Sequence, residues 1–383
     1  MQILQTTVEP GYPLSTGGSN RMHGLMKGRR DGDTICRFAH SGERKSAPNP
    51  KILDNGYREH HHRSYVQGVI GHFTRLPQIY ISTLMRLKRL PLLTDWLAVS
   101  DLVFVHRPWQ VPYVKKKSEK PLVYVSHVFE LELFDHLSSS PIGEYLRKRV
   151  KAFEQTAVDA ADLIVSVSER DRNQYESTFD IATPFFIAPP AAHLEDVPDK
   201  SLVSDFDPDS TLTAIFVGST HWPNIEAVQH ILEVAGQNEI RQVDIQFLIA
   251  GNVCSKFEQT AVPESVKLLG FVNSLEDYYE QSDLALNPVT TGAGANIKVP
   301  EYFAHGLPVL TTPFGARGII GEEGKHLLIR EQDEFDETLL AAHAGEFDSR
   351  MMAGRAQQLV REELNWTRIS QDLFDKIAAL DIV

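Results

Sequence analysis

Residues Asn287 to Thr312 read NPVTTGAGANIKVPEYFAHGLPVLTT, and this stretch decides the fold. With the preceding DLAL it spells an apolar strand, a glycine-rich turn, a helix opening near Ala295 or Asn296, a stop at Gly306 and a second strand, PVLTT. Strand, glycine loop and helix start in that order gather bare N–H groups at one spot and make an anion site. Gly292 and Gly294 let ligand oxygens approach the backbone closely, and Ala295 and Asn296 add their amides. Lys298 is expected one turn into the helix, bringing a full positive charge. Glu301, three residues later on the same face, suits a pair of neighbouring hydroxyls. The glycines alone are equally well read as a tight βα turn. With the lysine and the glutamate at these offsets, the set points to a nucleoside diphosphate held at its phosphates and its ribose.

Working outward, 383 residues suit two domains of similar size, and 42% hydrophobic residues are ample for two cores. Cys36 and Cys254 are far apart and show no metal-ligand spacing, which fits a reducing cytosol. The start, MQILQTTVEPGYP, lacks the basic residues and apolar core of a signal peptide. No apolar run reaches the roughly 18 residues of a membrane span. The expectation is a soluble, cytoplasmic protein.

The net charge of −13 is unevenly spread. Through Ala192 there are 25 lysines and arginines against 20 acids, and after it 13 against 31. An acidic second half argues against a nucleic-acid partner. Positive charge gathers at Arg86, Lys88 and Arg89, at Lys115 to Lys117, and from Arg147 to Lys151. Solvated helix faces are the plain reading. The same clusters would suit an anionic acceptor, or peripheral contact with the inner face of a membrane.

Strands and helices alternate in both halves, the mark of parallel α/β layers. MQILQTTV, TICRFAH, DLVFVHRP, PLVYVSH and DLIVSVS read as strands of the first half, with a long helix from Ile142 to Ala161. Ser168 is placed to cap the helix after the last of them. Residues 41–70 read as polar and irregular, with EHHHR at 59–63 in a loop. Three consecutive histidines cannot all face one ion, and no other ligand type accompanies them. Leu76 to Leu90 reads as a helix with a stripe of Leu76, Ile79, Leu84 and Leu87, ended by Pro91. PFFIAPPAAHLEDVPDKS breaks the rhythm and reads as a linker. TLTAIFVGS, VDIQFLIAGN, VKLLGFV, DLALNPV, PVLTT and HLLIRE then continue the strands, before an almost wholly helical tail. Trp222 and Pro223 look like a helix-start staple, with Asn224 as cap or first-turn residue. Two Rossmann-like domains follow from this order.

FVGSTHWPN, LLGFVNSLEDYYEQSDLALNP, GAGANIKVPEYFAHGLPVLTT and GARG resemble the retaining glycosyltransferases of the GT-B fold, specifically glycosyltransferase family 4 (group 1). A thinner resemblance lies in STGGSN, VSHVFE and LIVSVSERD. It implies an α/β, GT-B architecture of two Rossmann-like domains facing across a cleft. Residues 1–188 would form the acceptor-side domain and 189–365 the nucleotide-sugar domain. Residues 366–383, beginning at Trp366, would form a helix that crosses back to the first domain. Gly17 and Gly18 would line the first domain's loop, touching diphosphate or acceptor. His127 would bond a hydroxyl of the donor sugar. Gly218 and Ser219 would face the diphosphate, Glu301 would hold the ribose, and Lys298 would neutralise phosphate charge. The sequence departs from the family at Ala293, where a first glutamate is common. It also lacks the Arg and Lys that often follow the VG strand, which leaves Lys298 and Arg317, with His221 a weaker candidate.

The expected activity is retaining, metal-independent transfer of a hexosyl group from a UDP- or GDP-sugar to a carbohydrate, lipid-linked or small-molecule acceptor. His127 and Lys298 are the expected catalytic residues. Glu130 is a secondary candidate, orienting His127 or approaching the acceptor. No cofactor and no metal are expected, because Lys298 and the loop amides suit the charge that grows on a departing diphosphate. Two rivals stand beside this reading. One is a GT-B protein that binds a nucleotide sugar without transferring it, motivated by Ala293 and the missing basic pair. The other is an inverting transferase or epimerase, which needs Glu130 or His127 as a base.

Overall fold

The computed structural model describes residues 1–11, 17–41, 51–53, 56–64, 78–135, 141–197, 209–292, 294 and 296–383. Packing divides the chain into two units, Met1–Ala188 with Thr367–Val383, and Pro189–Trp366.

The first unit holds eight strands: β1 (Gln2–Thr7), β2 (Thr34–Ser41), β3 (Lys51–Leu53), β4 (Tyr57–Arg63), β5 (Leu102–Val105), β6 (Leu122–Val125), β7 (Leu163–Ser166) and β8 (Phe185–Ile187). Their order is β3-β4-β2-β1-β5-β6-β7-β8, parallel throughout except for the β3–β4 pair. The chain leaves β1 towards one side and returns at β5 on the other, so the sheet's switch point lies between these two strands. In open α/β sheets the crevice at the carboxyl ends of such strands is where ligands bind. The buried runs LVFV and LVYV are apolar on both faces because helices cover both sides of a parallel sheet. The last helix, Trp366–Ala379, is tied into this unit from Thr367 onward. Ser370 Oγ accepts from Gly28 N at 2.7 Å and donates to Leu25 O at 2.7 Å. A Cβ on Gly28 would lie 2.2 Å from Gln371 N, so only glycine permits this approach.

The second unit holds β9 (Leu212–Val217), β10 (Ile245–Ala250), β11 (Val266–Gly270), β12 (Leu284–Asn287), β13 (Val309–Thr311) and β14 (Leu328–Ile329), all parallel, in the order β11-β10-β9-β12-β13-β14. Numbered within the unit this is 3-2-1-4-5-6, the doubly wound dinucleotide-fold order. Side chains alternate between two cores. Leu212, Ala214 and Phe216 pack on one face and Ile215 on the other, as do Leu284 and Leu286 against Ala285. The switch point falls between β9 and β12, the strands that lead into Gly218 and into the glycine-rich turn.

Three expectations are corrected. EHHHR is strand, not loop: β4 pairs in parallel with β2, with His60 opposite Phe38 and His62 opposite His40. Those rings stack at 5.4 and 5.3 Å, which gives the polar run an aromatic face. The supposed linker begins with β8. The helix expected over Leu76–Leu90 runs from Tyr80 to Leu87, and a second begins at Pro91, which starts a helix as its first residue. Its core face is Ile81 and Met85, while Leu87 is 79% exposed; Leu76 lies outside the described residues. Among the described residues no helix is long and apolar enough to cross a membrane.

Candidate active site

In the second unit β9 ends at Val217, whose N–H donates to Tyr302 Oη at 2.9 Å and so ties the strand to the helix Lys298–Ala304. Gly218 and Ser219 follow at the sheet's carboxyl edge. Asn224, in the first turn of the helix Trp222–Ala235, donates to Ser219 O at 3.2 Å and accepts from Lys298 Nζ at 2.8 Å. It therefore works as a bridge between the two loops and not as a cap. Lys298 Nζ also sits 4.1 Å from the centre of the Phe216 ring. Burial lowers its pKa to about 7, against the opposing pull of Glu301. An ammonium held this way gains markedly when an anion arrives.

The glycine-rich turn has the geometry its residues suggested. Gly292 and Gly294 have φ of 114° and 76°, conformations that side chains disfavour. Asn296 Nδ2 donates to Gly315 O at 2.8 Å, joining this turn to the one that carries Arg317. The helix itself opens at Lys298, not at Ala295 or Asn296, so Lys298 is its first residue and not one turn inside. Glu301 accepts from Tyr279 Oη at 3.0 Å, which fixes one carboxylate oxygen. Arg317 is turned onto its own loop: Nε donates to Phe314 O at 3.2 Å and the guanidinium lies over the Phe314 ring. Ala293 and Ala295 lie outside the described residues. The structure thus gathers Gly218, Ser219, Lys298 and, through Lys298's helix, Glu301, with Asn224 and Tyr279 as members not singled out for this role. Asn224 was visible only as a helix-start residue, and nothing in the spacing of Tyr279 marks it.

In the first unit the switch-point crevice holds a polar chain. His106 follows β5 and His127 follows β6, with His106 Nδ1 3.0 Å from His127 Nε2. His106 Nε2 is 3.2 Å from Gln5 Nε2, on β1. Arg37 donates to Gln5 Oε1 from Nε at 2.9 Å and Nη2 at 2.8 Å, and pairs with Glu59 at 3.2 Å. A guanidinium can only donate, so the glutamine oxygen must face it and the amide NH2 must face His106 and Met22 O, 3.1 Å away. His106 Nε2 is then an acceptor, its proton sits on Nδ1, and that proton goes to His127 Nε2. His127 in turn carries its proton on Nδ1, which has no hydrogen-bond partner among the described residues. Burial first, then nearby arginines, hold both imidazoles well below their ordinary pKa, so both are neutral. His127 offers one N–H and no free lone pair.

Glu130 does not orient His127. It is buried and accepts from Arg107 Nη1 at 2.8 Å, while Arg107 also reaches Glu9 at 3.4 Å. Burial raises the Glu130 pKa although Arg107 opposes it. Gly17 and Gly18 open the helix Gly17–Gly24, and a Cβ on Gly18 would come within 3.3 Å of the Glu9 carboxylate. Gln5, His106 and Arg107 were missed at the sequence level, though DLVFVHRP put the last two at a strand's carboxyl end. Among the described residues no group of His, Cys, Asp or Glu could hold a metal ion.

Two parallel-sheet α/β units of this kind make up the GT-B fold. Residues 211–344, which lie within the second unit, match the family described as glycosyl transferases group 1. Sucrose-phosphate synthase from Thermosynechococcus elongatus superposes with a TM-score of 0.74 at 13% identity, over 100% of this chain and 99% of that one. Anabaena HepE in complex with UDP-glucose gives 0.66 at 14% identity, over 98% and 99%. The lipopolysaccharide outer core galactosyltransferase WaaB gives 0.65 at 12% identity, over 98% and 100%. At these identities the likeness is one of fold. No curated protein matches by sequence.

Proposed function

We propose that the protein is a retaining, metal-independent hexosyltransferase that uses a UDP- or GDP-sugar. The observation that carries this reading is the Lys298 ammonium, half-buried between Asn224 and the Phe216 ring beside two positive-φ glycines. Diphosphate binding would restore the solvation that Lys298 loses in the fold. The same contact would stabilise the charge that develops as the anomeric bond breaks; one such donor is worth on the order of 3 kcal/mol. Glu301, with one oxygen held by Tyr279, would take the ribose hydroxyls. The donor-bound states of similar folds, such as HepE with UDP-glucose, support this choice of ligand.

His127 is proposed to donate its Nδ1–H to a hydroxyl of the transferred sugar. That role needs a donor, and a donor is what the Gln5–His106 chain leaves it. An inverting mechanism would need a base with an open lone pair. His127 Nε2 is occupied by His106 and Glu130 is paired with Arg107, which favours retention, with the leaving phosphate taking the acceptor's proton. The acceptor is proposed to be a carbohydrate, lipid-linked or small-molecule hydroxyl, met in the cytoplasm or at its membrane face. Incubation with a panel of UDP- and GDP-sugars, read by NMR of the product, tests the proposal. A product anomer of the donor's configuration, formed at an undiminished rate in EDTA, is expected; an inverted product or a rate abolished by EDTA contradicts it.

A further inference from the structure

The first unit carries a second concavity, formed by the end of the helix Tyr80–Leu87, the start of the helix Pro91–Val99 and the helix Val111–Lys117. Its volume is about 490 Å³, within the range of small-ligand sites. Arg86, Lys88, Arg89, Lys116 and Lys117 line it, against a single acid, Asp95. None of the five cations forms an ion pair or a side-chain hydrogen bond with a described residue. Several cations elsewhere on this unit are matched: Arg147 to Asp135, Lys148 to Glu144, Arg170 to Glu132, Arg172 to Glu176. In a chain of net charge −13, five positive groups around one hollow with no ion pair among the described residues are a local excess held against mutual repulsion.

Tyr113 adds a neutral hydrogen-bonding group. It is 3% exposed, lines the same hollow, and its hydroxyl has no hydrogen-bond partner among the described residues. Solvent reaches that hydroxyl, so it is open to a ligand in the hollow.

We infer that this hollow binds a phosphate-bearing ligand, distinct from the donor held by the second unit. Two guanidiniums can grip phosphate oxygens in pairs, three ammoniums neutralise a di- or polyanion, and the Tyr113 hydroxyl gives a fixed directional bond. A carboxylate, with one charge and two oxygens, would leave most of these donors unused. The phosphate can belong to a soluble ester or to a lipid headgroup. Leu87, 79% exposed between Arg86 and Lys88, is the kind of apolar side chain that enters a bilayer surface.

The test uses the full-length protein, titrated with inorganic pyrophosphate and sedimented with vesicles of phosphatidylglycerol or phosphatidylcholine. The triple variant Lys88→Ala, Lys116→Ala, Lys117→Ala is compared with Lys148→Ala, Arg149→Ala, Lys151→Ala, which removes the same charge from the helix Pro141–Ala160. A Lys→Arg triple at the hollow checks folding and should keep binding. Each titration is repeated with Lys298→Ala, so that loss at the donor loops is told apart from loss at the hollow. The expected result is pyrophosphate binding weakened at least about tenfold in the hollow variant and less in the control, as local rather than bulk charge predicts. If phosphatidylglycerol sedimentation is lost with it, the source is a headgroup; if vesicles never sediment the protein, it is a soluble ester. Hollow and control variants that behave alike in both assays would overturn the inference.

Discussion

His106 Nδ1 stands 3.0 Å from His127 Nε2, and the proton between them belongs to His106. The direction is set two residues away, where Arg37 holds the oxygen of Gln5 and turns its amide nitrogen towards His106. The first prediction is spectroscopic. Nitrogen-15 shifts should show both imidazoles neutral at pH 7 with the proton on Nδ1. Gln5→Glu replaces the amide donor by an acceptor, so His106 should move its proton to Nε2 and His127 should lose its partner's donation. Transfer should then fall while the Nδ1–H signature of His127 disappears. An Nε2–H tautomer at His127 in the unaltered protein would refute the chain.

Lys298→Ala and Glu301→Ala are each expected to lower transfer at least roughly tenfold with little change in the thermal midpoint. The two should differ in kind. Lys298 acts on charge that grows in the reaction and should depress kcat, whereas Glu301 holds the ribose equally before and during it and should chiefly raise KM. Asn224→Ala frees the ammonium and should fall between them. Near-normal steady-state kinetics in both variants would remove these residues from the site.

The lowered Lys298 pKa, about 7, makes donor binding pH-dependent. Below that value the site is charged before the diphosphate arrives. Above it the bound anion must draw a proton onto Lys298, so affinity for UDP or GDP should fall as pH rises from 7 to 9, at most about tenfold per unit. Calorimetry at pH 8.5 in buffers of different ionisation enthalpy should show net proton uptake. Proton release, or an affinity flat over this range, would contradict the assignment.

Two glycines differ in how much a side chain would cost: at Gly251 a backbone conformation open essentially to glycine alone, φ 98° and ψ −179°, is combined with a close approach. A Cβ there would lie 2.3 Å from Gly218 O; Gly270 has φ 71° with nothing within 4 Å. Gly270→Ala should cost only the left-handed penalty, about 1–2 kcal/mol. Gly251→Ala should cost more in urea unfolding and also weaken nucleotide binding, because the Gly218 loop must shift. Equal losses in both would contradict the strained backbone and close approach assigned to Gly251.

Much of this was legible because parallel strands buried on both faces appear as unbroken apolar runs. LVFV, LVYV, LIVS and LALN each needed no partner to be recognised. Lys298 and Glu301 were legible because an i, i+3 pair shares a face however long the helix is. The helix start was not, since Gly294 is spent on the turn and Asn296 on the bond to Gly315. His60 to His62 hid a strand because three identical residues carry no period of two, although only alternate ones stack on Phe38 and His40. His106 was unreadable for another reason. Its role depends on Gln5, 101 positions away, meeting it across the β1–β5 pair.

The most direct measurement is a crystal structure with whichever of UDP or GDP stabilises the protein more. The diphosphate should lie within hydrogen-bond distance of Lys298 Nζ and the amides around Gly292, with the ribose hydroxyls on Glu301. A nucleotide seated elsewhere, with Lys298 still bonded only to Asn224, would contradict the account.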